Sequence, residues 1–294
     1  MNAPTTRTTS CTASVIILNW NGKHLLPDCL VSLAQQTFTD FETIIVDNGS
    51  TDGSVEWLRT IQSETIRLIE NSRNLGFAEG NNQAIRAARG RYMILVNNDT
   101  VLDNRFLEEL IKPAEKDREI GLCASKIVFH NDPSCIDAVG QLLYWDGLNR
   151  QKGHFETDRG QYDEDTEILF PPGCGSLYRK EMLDRIGLFD EDFFAYGEDT
   201  DLGLRGRLAG WKCICAPKAV IYHKRSGSTG EYSAFKAFHV ERNRIWVAVK
   251  SFPLPLLLMT PFFTMYRYLF QVWAVFTKRG MAGKFASENS SLAL

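Results

Sequence analysis

An α/β fold with a mostly parallel sheet is predicted by three features of this 294-residue chain. Short apolar runs alternate with amphipathic stretches from Ser14 onward, as in a parallel sheet covered by helices. Several of these runs end in Asn, Asp or Gly, where a strand leaves a sheet and turns. The length and the 44% hydrophobic content allow one sizeable core with a smaller appended region.

The elements follow in order. Residues 1–12, rich in Thr and Ser and without the apolar run of a secretory signal, read as a disordered lead-in. Val15 to Trp20 is a buried strand and His24 to Gln36 a helix. Phe41 to Asp47 is a second strand, ending in the turn formers Asn48-Gly49-Ser50, and a helix follows from Gly53 to Arg59. Strands Ile66 to Glu70 and Tyr92 to Asn97, with helices Phe77 to Ala88 and Asn104 to Lys116, complete four β-α units. Beyond Ile120 the pattern loosens: strands at Gly121 to Phe129 and Gln141 to Tyr144, then a polar loop, Asn149 to Thr166, readable as a lid or as disorder. Helices at Lys180 to Ile186 and Thr200 to Ala209 and strands at Lys212 to Ala216 and Ala219 to His223 close the globular part, giving a main domain of residues 13–230.

The net charge of −3 provides no basic field for nucleic acid. Seven cysteines without a repeated CxxC form neither a disulfide framework nor a zinc site; Cys213 and Cys215 read as buried strand residues, and a reducing cytoplasm suits the set. Charge is uneven: between residues 236 and 284 eight basic side chains face one acid, Glu241. The same region (231–285, before a tail at 286–294) contains the most apolar stretch, Ser251 to Thr277, interrupted by three prolines and Arg267. An arginine at mid-bilayer costs at least about 2.5–3.5 kcal/mol, which disfavours a spanning helix. An in-plane amphipathic anchor on an anionic membrane fits the composition; a core-packing helix pair or a homo-oligomer interface is the alternative.

Ligands of open parallel sheets bind at the carboxyl ends of the strands. Three such exits are polar here: Asn19-Trp20-Asn21, Asp47-Asn48-Gly49 and Asn97-Asn98-Asp99. The first β-α turn lacks GxGxxG and the chain lacks GxxxxGK[ST], so neither a dinucleotide fingerprint nor a P-loop is present. Asp47 suits a ribose hydroxyl or a base N–H. Asp99, on a rigid strand exit, suits Mg²⁺ or Mn²⁺ shared with substrate phosphate, or else a helix cap. Glu198, Asp199 and Asp201, beside Phe193, Phe194 and Tyr196, read equally as a helix N-terminal cap and as a general base between aromatic walls. His223 ends a strand where an imidazole can ligate metal, and Lys224 and Arg225 after it can hold diphosphate oxygens.

Together, SVIILNWNG (14–22), IIVDNGSTDGS (44–54), NLGFAEGNNQAI (74–85), YMILVNNDT (92–100), FPPGCGSLYRKEML (170–183) and FFAYGEDTDLGLRGRLAGW (193–211) resemble glycosyltransferase family 2, with rhamnosyltransferases the most similar members. The resemblance implies a GT-A fold, with a Rossmann-like nucleotide-binding half and an acceptor-binding half, and C-terminal helices beyond them. It implies inverting, metal-dependent transfer from a dTDP- or UDP-linked sugar, L-rhamnose first, to a glycan or polyprenyl-diphosphate-linked acceptor at the inner face of the cytoplasmic membrane. A galactofuranosyl or other hexosyl donor, or a non-catalytic scaffold that binds nucleotide sugars, are the alternatives. Carried onto this chain, Asp199 is the base, and Asn19, Asp47, Asn48, Gly76, Asn81, Asn98 and Asp99 bind the donor nucleotide. Asp99 and His223 hold the metal, with Asn97, where the family's DxD has its first Asp, a weaker ligand; Gly173, Cys174, Gly175, Tyr196 and Glu198 line the acceptor pocket. The QxxRW signature of processive synthases is absent, which implies single additions.

Overall fold

Four parallel strands carry the polar exits to one level. In the computed structural model, which describes residues 11–225 and 233–277, the chain runs β1 (Ala13–Asn19), α1 (Leu26–Ala34), β2 (Phe41–Asp47), α2 (Ser54–Thr60), β3 (Ile66–Glu70), α3 (Gly76–Ala87) and β4 (Tyr92–Asn97). Their order in the sheet is β4-β1-β2-β3, so the chain returns past β1 after β3 and opens a crevice between β1 and β4. Register sets Asn19 beside Asp47 and Leu18 beside Asn97.

Both faces of this sheet are covered, which is why its strands are apolar at almost every position. Val15, Ile17, Ile45, Ile94 and Val96 pack with Leu26 and Leu33 of α1. Ile16, Ile44, Val46, Met93 and Leu95 pack on the other side with Ala84 and Ile85 of α3.

The second half continues with β5 (Thr100–Leu102), α4 (Phe106–Lys116), β6 (Ile120–Phe129), β7 (Asp132–Ala138), β8 (Gln141–Leu143), β9 (Asn149–Gln151), β10 (Thr166–Glu167) and β11 (Ser176–Arg179). Then come α5 (Lys180–Ile186), a 3-10 turn (Glu191–Phe193), α6 (Glu198–Leu208), β12 (Lys212–His223), α7 (Ala234–Ser251) and α8 (Leu254–Phe276). Strand β11 lies antiparallel between β4 and β6 and joins the halves into one sheet; β12 runs parallel to β6.

Several expectations need correction. The two strands expected at 212–223 are one strand with a register shift between Ala216 and Val220. The polar stretch 149–166 is neither a lid nor disordered. It packs on β7 through Ile136 N–H to Glu156 O, Phe155 N–H to Ile136 O and Val139 N–H to Lys152 O, and Asp158 and Asp163 clamp buried Lys126 at 2.8 and 2.6 Å. Cys213 and Cys215 are buried strand residues as expected, and all seven cysteines are free. The lead-in at 1–10, the segment 226–232 and the tail at 286–294 lie outside the described residues.

No described helix is long and apolar enough to cross a membrane. Arg267, which interrupts the apolar run, pairs with Asp146 at 2.6 Å and Glu241 at 3.0 Å. Other cations expected to face an anionic surface are also held within the chain. Arg244 binds Glu241 and the Asp146 carbonyl, Arg242 the carbonyls of Asp192 and Phe193, and Lys250 the carboxylates of Asp190 and Asp201. What α8 does expose is apolar: Leu258, Phe262, Leu269, Phe270 and Phe276 are all more than half exposed. Lys278, Arg279 and Lys284 lie outside the described residues.

Candidate active site

The three strand exits meet. Asn19 donates from Nδ2 to Asp47 Oδ2 at 2.8 Å and accepts at Oδ1 from Asn98 Nδ2 at 2.8 Å, so one amide links all three exits. Asp47 is fully buried and also accepts the Ser50 N–H at 2.8 Å. Two further expected nucleotide contacts are turned inward. Asn48 Nδ2 donates to Asn74 Oδ1 and Gly76 O while its Oδ1 accepts from Asn71 and Leu75, and Asn81 donates to Phe77 O one turn back. They shape the wall of the crevice; buried amides without partners would be costly. Gly76, at φ +86°, makes room for Phe194, whose carbonyl would lie 2.5 Å from any Cβ there.

Asp99 does not cap a helix. Its carboxylate faces His223, with Oδ1 3.3 Å from Nε2, and His223 Nδ1 lies 2.7 Å from Asp137 Oδ2. His154 Nδ1 in turn lies 2.9 Å from the Asp137 carbonyl and 3.1 Å from its Oδ1. Burial alone would push the His223 imidazole down, but its bonds to Asp137 and Asp99 outweigh that and raise it to about 9. Burial likewise opposes ionisation of Asp137, and its bonds to His154 and His223 prevail, holding the carboxyl far below its usual range. Among the described residues no group of three or more His, Cys, Asp or Glu side chains is placed to hold a metal. Asp99 and His223 supply two donors, and the Asn97 side chain lies half-buried at the strand exit beside them. Asp137 is the partner that a metal-ligating histidine ordinarily has on its second nitrogen.

Lys224 extends to Asp28 on α1, and Arg225, at φ 52°, lies 5.4 Å from the Phe129 ring centre and 5.9 Å from that of Phe155. Both cations thus follow directly on His223 at the same strand end.

Asp199 is the fourth focus. It is 8% exposed, and its Oδ2 accepts from Gln141 Nε2 at 2.6 Å and the Gly173 N–H at 2.9 Å. Its Oδ1 accepts the Thr200 N–H at 2.7 Å and the Thr200 hydroxyl at 3.3 Å. Desolvation raises its pKa, and the Gln141, Thr200 and Gly173 bonds pull the other way. Glu198 is raised well above its usual range by burial and then by the Asp199 charge, and its Oε2 has no hydrogen-bond partner among the described residues. Asp199, unlike Glu198, has four donor contacts that favour its charged form. Neither Asp199 nor Thr200 is the N-cap of α6, which is Gly197 with no side-chain cap, but Glu198, Asp199 and Asp201 do stand in its first turn, where the helix dipole favours carboxylates.

The loop before Asp199 is contorted, with positive φ at Phe194, Tyr196 and Gly197. Such non-glycine conformations cost about 1–3 kcal/mol each and persist only when over-determined by their surroundings. Asn243 of α7 does this: its Nδ2 lies 2.9, 2.9 and 2.5 Å from the carbonyls of Phe193, Ala195 and Tyr196. The Tyr196 ring meets Lys236 Nζ at 5.7 Å. Of the expected acceptor wall, Gly173 touches Asp199 and Phe77, and Gly175, at φ +64°, packs on Ser125 and donates to Leu95 O. Cys174 corrects the expectation: its side chain belongs to the apolar core, and burial pushes its thiol far up.

Residues 14–187 match the family described as Glycosyl transferase family 2. The chain belongs to that family. It is 30% identical over 239 residues to the uncharacterized glycosyltransferase YfnE of Bacillus subtilis, covering 67% of this chain and 61% of that protein. Over 251 residues it is 27% identical to an N-acetylglucosaminyl-diphospho-decaprenol L-rhamnosyltransferase of Mycobacterium tuberculosis, covering 77% of this chain and 80% of the relative. It spans 16% of the O-antigen biosynthesis protein RfbC of Myxococcus xanthus, at 26% identity and 67% coverage of this chain. Thus the chain spans less than two thirds of YfnE and RfbC. Among solved structures, TarS 1-349 of S. aureus in complex with UDP superposes with a TM-score of 0.59 at 18% identity, over 82% of this chain and 67% of that one. GalNAc-T7 with UDP, GalNAc and Mn²⁺ gives 0.63 at 16%, over 82% and 48%. The fold of this family member is GT-A.

Gln141, Asp137 and His154 escaped the sequence reading. They occupy a weakly patterned segment and act across 58, 86 and 17 residues.

Proposed function

We propose that this glycosyltransferase transfers L-rhamnose, with inversion, from dTDP-L-rhamnose to a hydroxyl of a lipid-linked glycan precursor, with Asp199 as general base. The observation that carries the reading is Asp199 itself: a buried carboxylate with no ion pair among the described residues, weakened as an acid by desolvation and held by neutral donors. Three short bonds leave one lone-pair direction, shared at 3.3 Å with the rotatable Thr200 hydroxyl. The acceptor O–H takes that place, and its proton passes to Oδ1 as the oxygen attacks the anomeric carbon opposite the leaving diphosphate.

Asp47 and Asn19 receive the nucleoside, while Asn98, Lys224 and Arg225 line the path of the diphosphate. Asp99 and His223 would hold Mg²⁺ or Mn²⁺, the imidazole giving up its Nε2 proton to do so, with Asn97 a weak third and Asp137 orienting the ring. Such an ion supplies charge stabilisation of the leaving diphosphate. The rhamnosyl donor and the polyprenyl-diphosphate acceptor are supported by the mycobacterial relative's name. A UDP-linked hexose is the second reading, favoured by the likeness to TarS bound to UDP-GlcNAc, at a TM-score of 0.60 and 20% identity.

The exposed apolar residues of α8 support peripheral association with the inner face of the cytoplasmic membrane, where such an acceptor lies. A chain ending near Lys250 that still folds should lose its partition onto anionic liposomes; undiminished binding would remove α8 from the account. The reaction itself is tested by thermal shift with a panel of dTDP- and UDP-sugars plus Mg²⁺. A donor at 100 times its Kd should stabilise by about 2.7 kcal/mol. A response to UDP-hexoses with none to dTDP-L-rhamnose would replace the first reading by the second.

A further inference from the structure

We propose that Gln141 is a positioning residue for the general base, holding Asp199 Oδ2 so that Oδ1 faces the acceptor hydroxyl. The inference rests on Asp199 being that base. Gln141 is 4% exposed at the start of β8, and its backbone is fixed by N–H donation to Phe170 O at 3.1 Å. Its Nε2 makes the shortest bond to Asp199, at 2.6 Å. The amide can present N–H there in only one orientation, and Asn149 of β9 selects it by donating from Nδ2 to Gln141 Oε1. The hairpin carrying both residues is tethered at its turn, where Asp146 binds Arg267 through its carboxylate and Arg244 through its carbonyl. The relay thus runs from the C-terminal helices through Asp146, Asn149 and Gln141 to the base.

Neutral donors suit this duty better than a cation. A lysine or arginine at 2.6 Å would make Asp199 a poorer proton acceptor, whereas an amide orients the carboxylate with a smaller loss of basicity. Among the described residues the ionisable groups that act on Asp199 are Glu198 on α6 and the phenol of Tyr178 on β11, whose ionisation burial opposes. Neither can replace Gln141 as a fixed donor to Oδ2. The same segment carries Asp137, four residues earlier, which orients His223. One irregular stretch therefore sets both the base and the histidine at the strand exit.

The test follows nucleoside diphosphate release from dTDP-L-rhamnose, or UDP-GlcNAc if the panel selects it, with an N-acetylglucosaminyl-diphospho-prenol acceptor and Mg²⁺, across pH. Gln141→Leu should lower kcat about 10- to 100-fold and move the acid limb of the kcat profile up by about one pH unit, with donor binding unchanged. Gln141→Glu, close in size, should move the limb further, since it sets a second acid against Asp199. Asn149→Ala should act in the same sense but more weakly. Folded variants whose acid limb stays at the wild-type pH overturn the proposal, as does loss of folding in all three, which would make the relay merely structural. Near wild-type turnover in Asp199→Asn would instead overturn the base assignment on which the proposal rests.

Discussion

Asp99 and Asp199 are both nearly buried carboxylates of the proposed active site, yet their surroundings differ in kind. Asp99 faces an imidazole raised to about 9, itself pinned by Asp137, so its neighbourhood alternates charge. Among the described residues Asp199 meets amide donors, a hydroxyl and the buried Glu198, whose ionisation burial opposes. A group that must hold diphosphate or a cation works best where charges are paired. A group that must take a proton works best where its own charge is costly. Residues of the second half of the chain supply both of these opposite environments.

That contrast can be broken most decisively at Asp199. Asp199→Asn should lower turnover at least about 10²-fold while donor binding, followed by thermal shift, stays intact. On the other side, Asp137→Asn should weaken metal-supported activity by about 10- to 100-fold, and excess Mg²⁺ or Mn²⁺ should recover part of it. No metal titration should recover Asp199→Asn. If it did, the two carboxylates would share one task.

Stability against pH separates the environments again. His223 rises from an ordinary 6.5 to about 9 on folding, so its contribution is complete below 6.5 and is lost as pH climbs through about 9. Asp199 is also raised from its ordinary 3.8, so its contribution too falls with rising pH, but from 3.8 upward in the acid range. Melting temperatures should therefore decline between pH 6.5 and 9 in the wild type and less steeply in His223→Gln, with Asp199→Asn leaving that alkaline decline in place. The smallest change is expected from Lys224→Ala. Its partner Asp28 is well exposed, so the melting temperature should hardly move, while the KM for donor rises several-fold.

The same contrast explains what could be read from sequence. Asp47, Asp99 and Asp199 stand at exits of strongly patterned strands or beside an aromatic run, and local chemistry marks them. The first four β-α units were legible because both sheet faces are buried and their strands are almost wholly apolar. Strand β11 was not, since it begins beside Gly173-Cys174-Gly175, which reads as a turn, and pairs antiparallel with partners from two distant segments. Asp137 falls in a stretch read as no element and Gln141 opens a strand that was expected, but the duties of both exist only once β7 and β8 pack beside α6 and β12. In the C-terminal region, sequence counts charges but not partners, and Arg244, Lys250 and Arg267 have theirs inside the chain.

One carboxamide on α7 bears on how such chains can be recombined. Asn243 reaches three carbonyls of the loop that presents Asp199, although a boundary drawn at residue 230 would assign it to a separate region. Exchanging the C-terminal helices between relatives would remove a support of the catalytic loop along with any membrane or acceptor preference. A chimera with its junction after α7 keeps Asn243 with its own loop, and is the graft in which a change of acceptor can be separated from damage to catalysis.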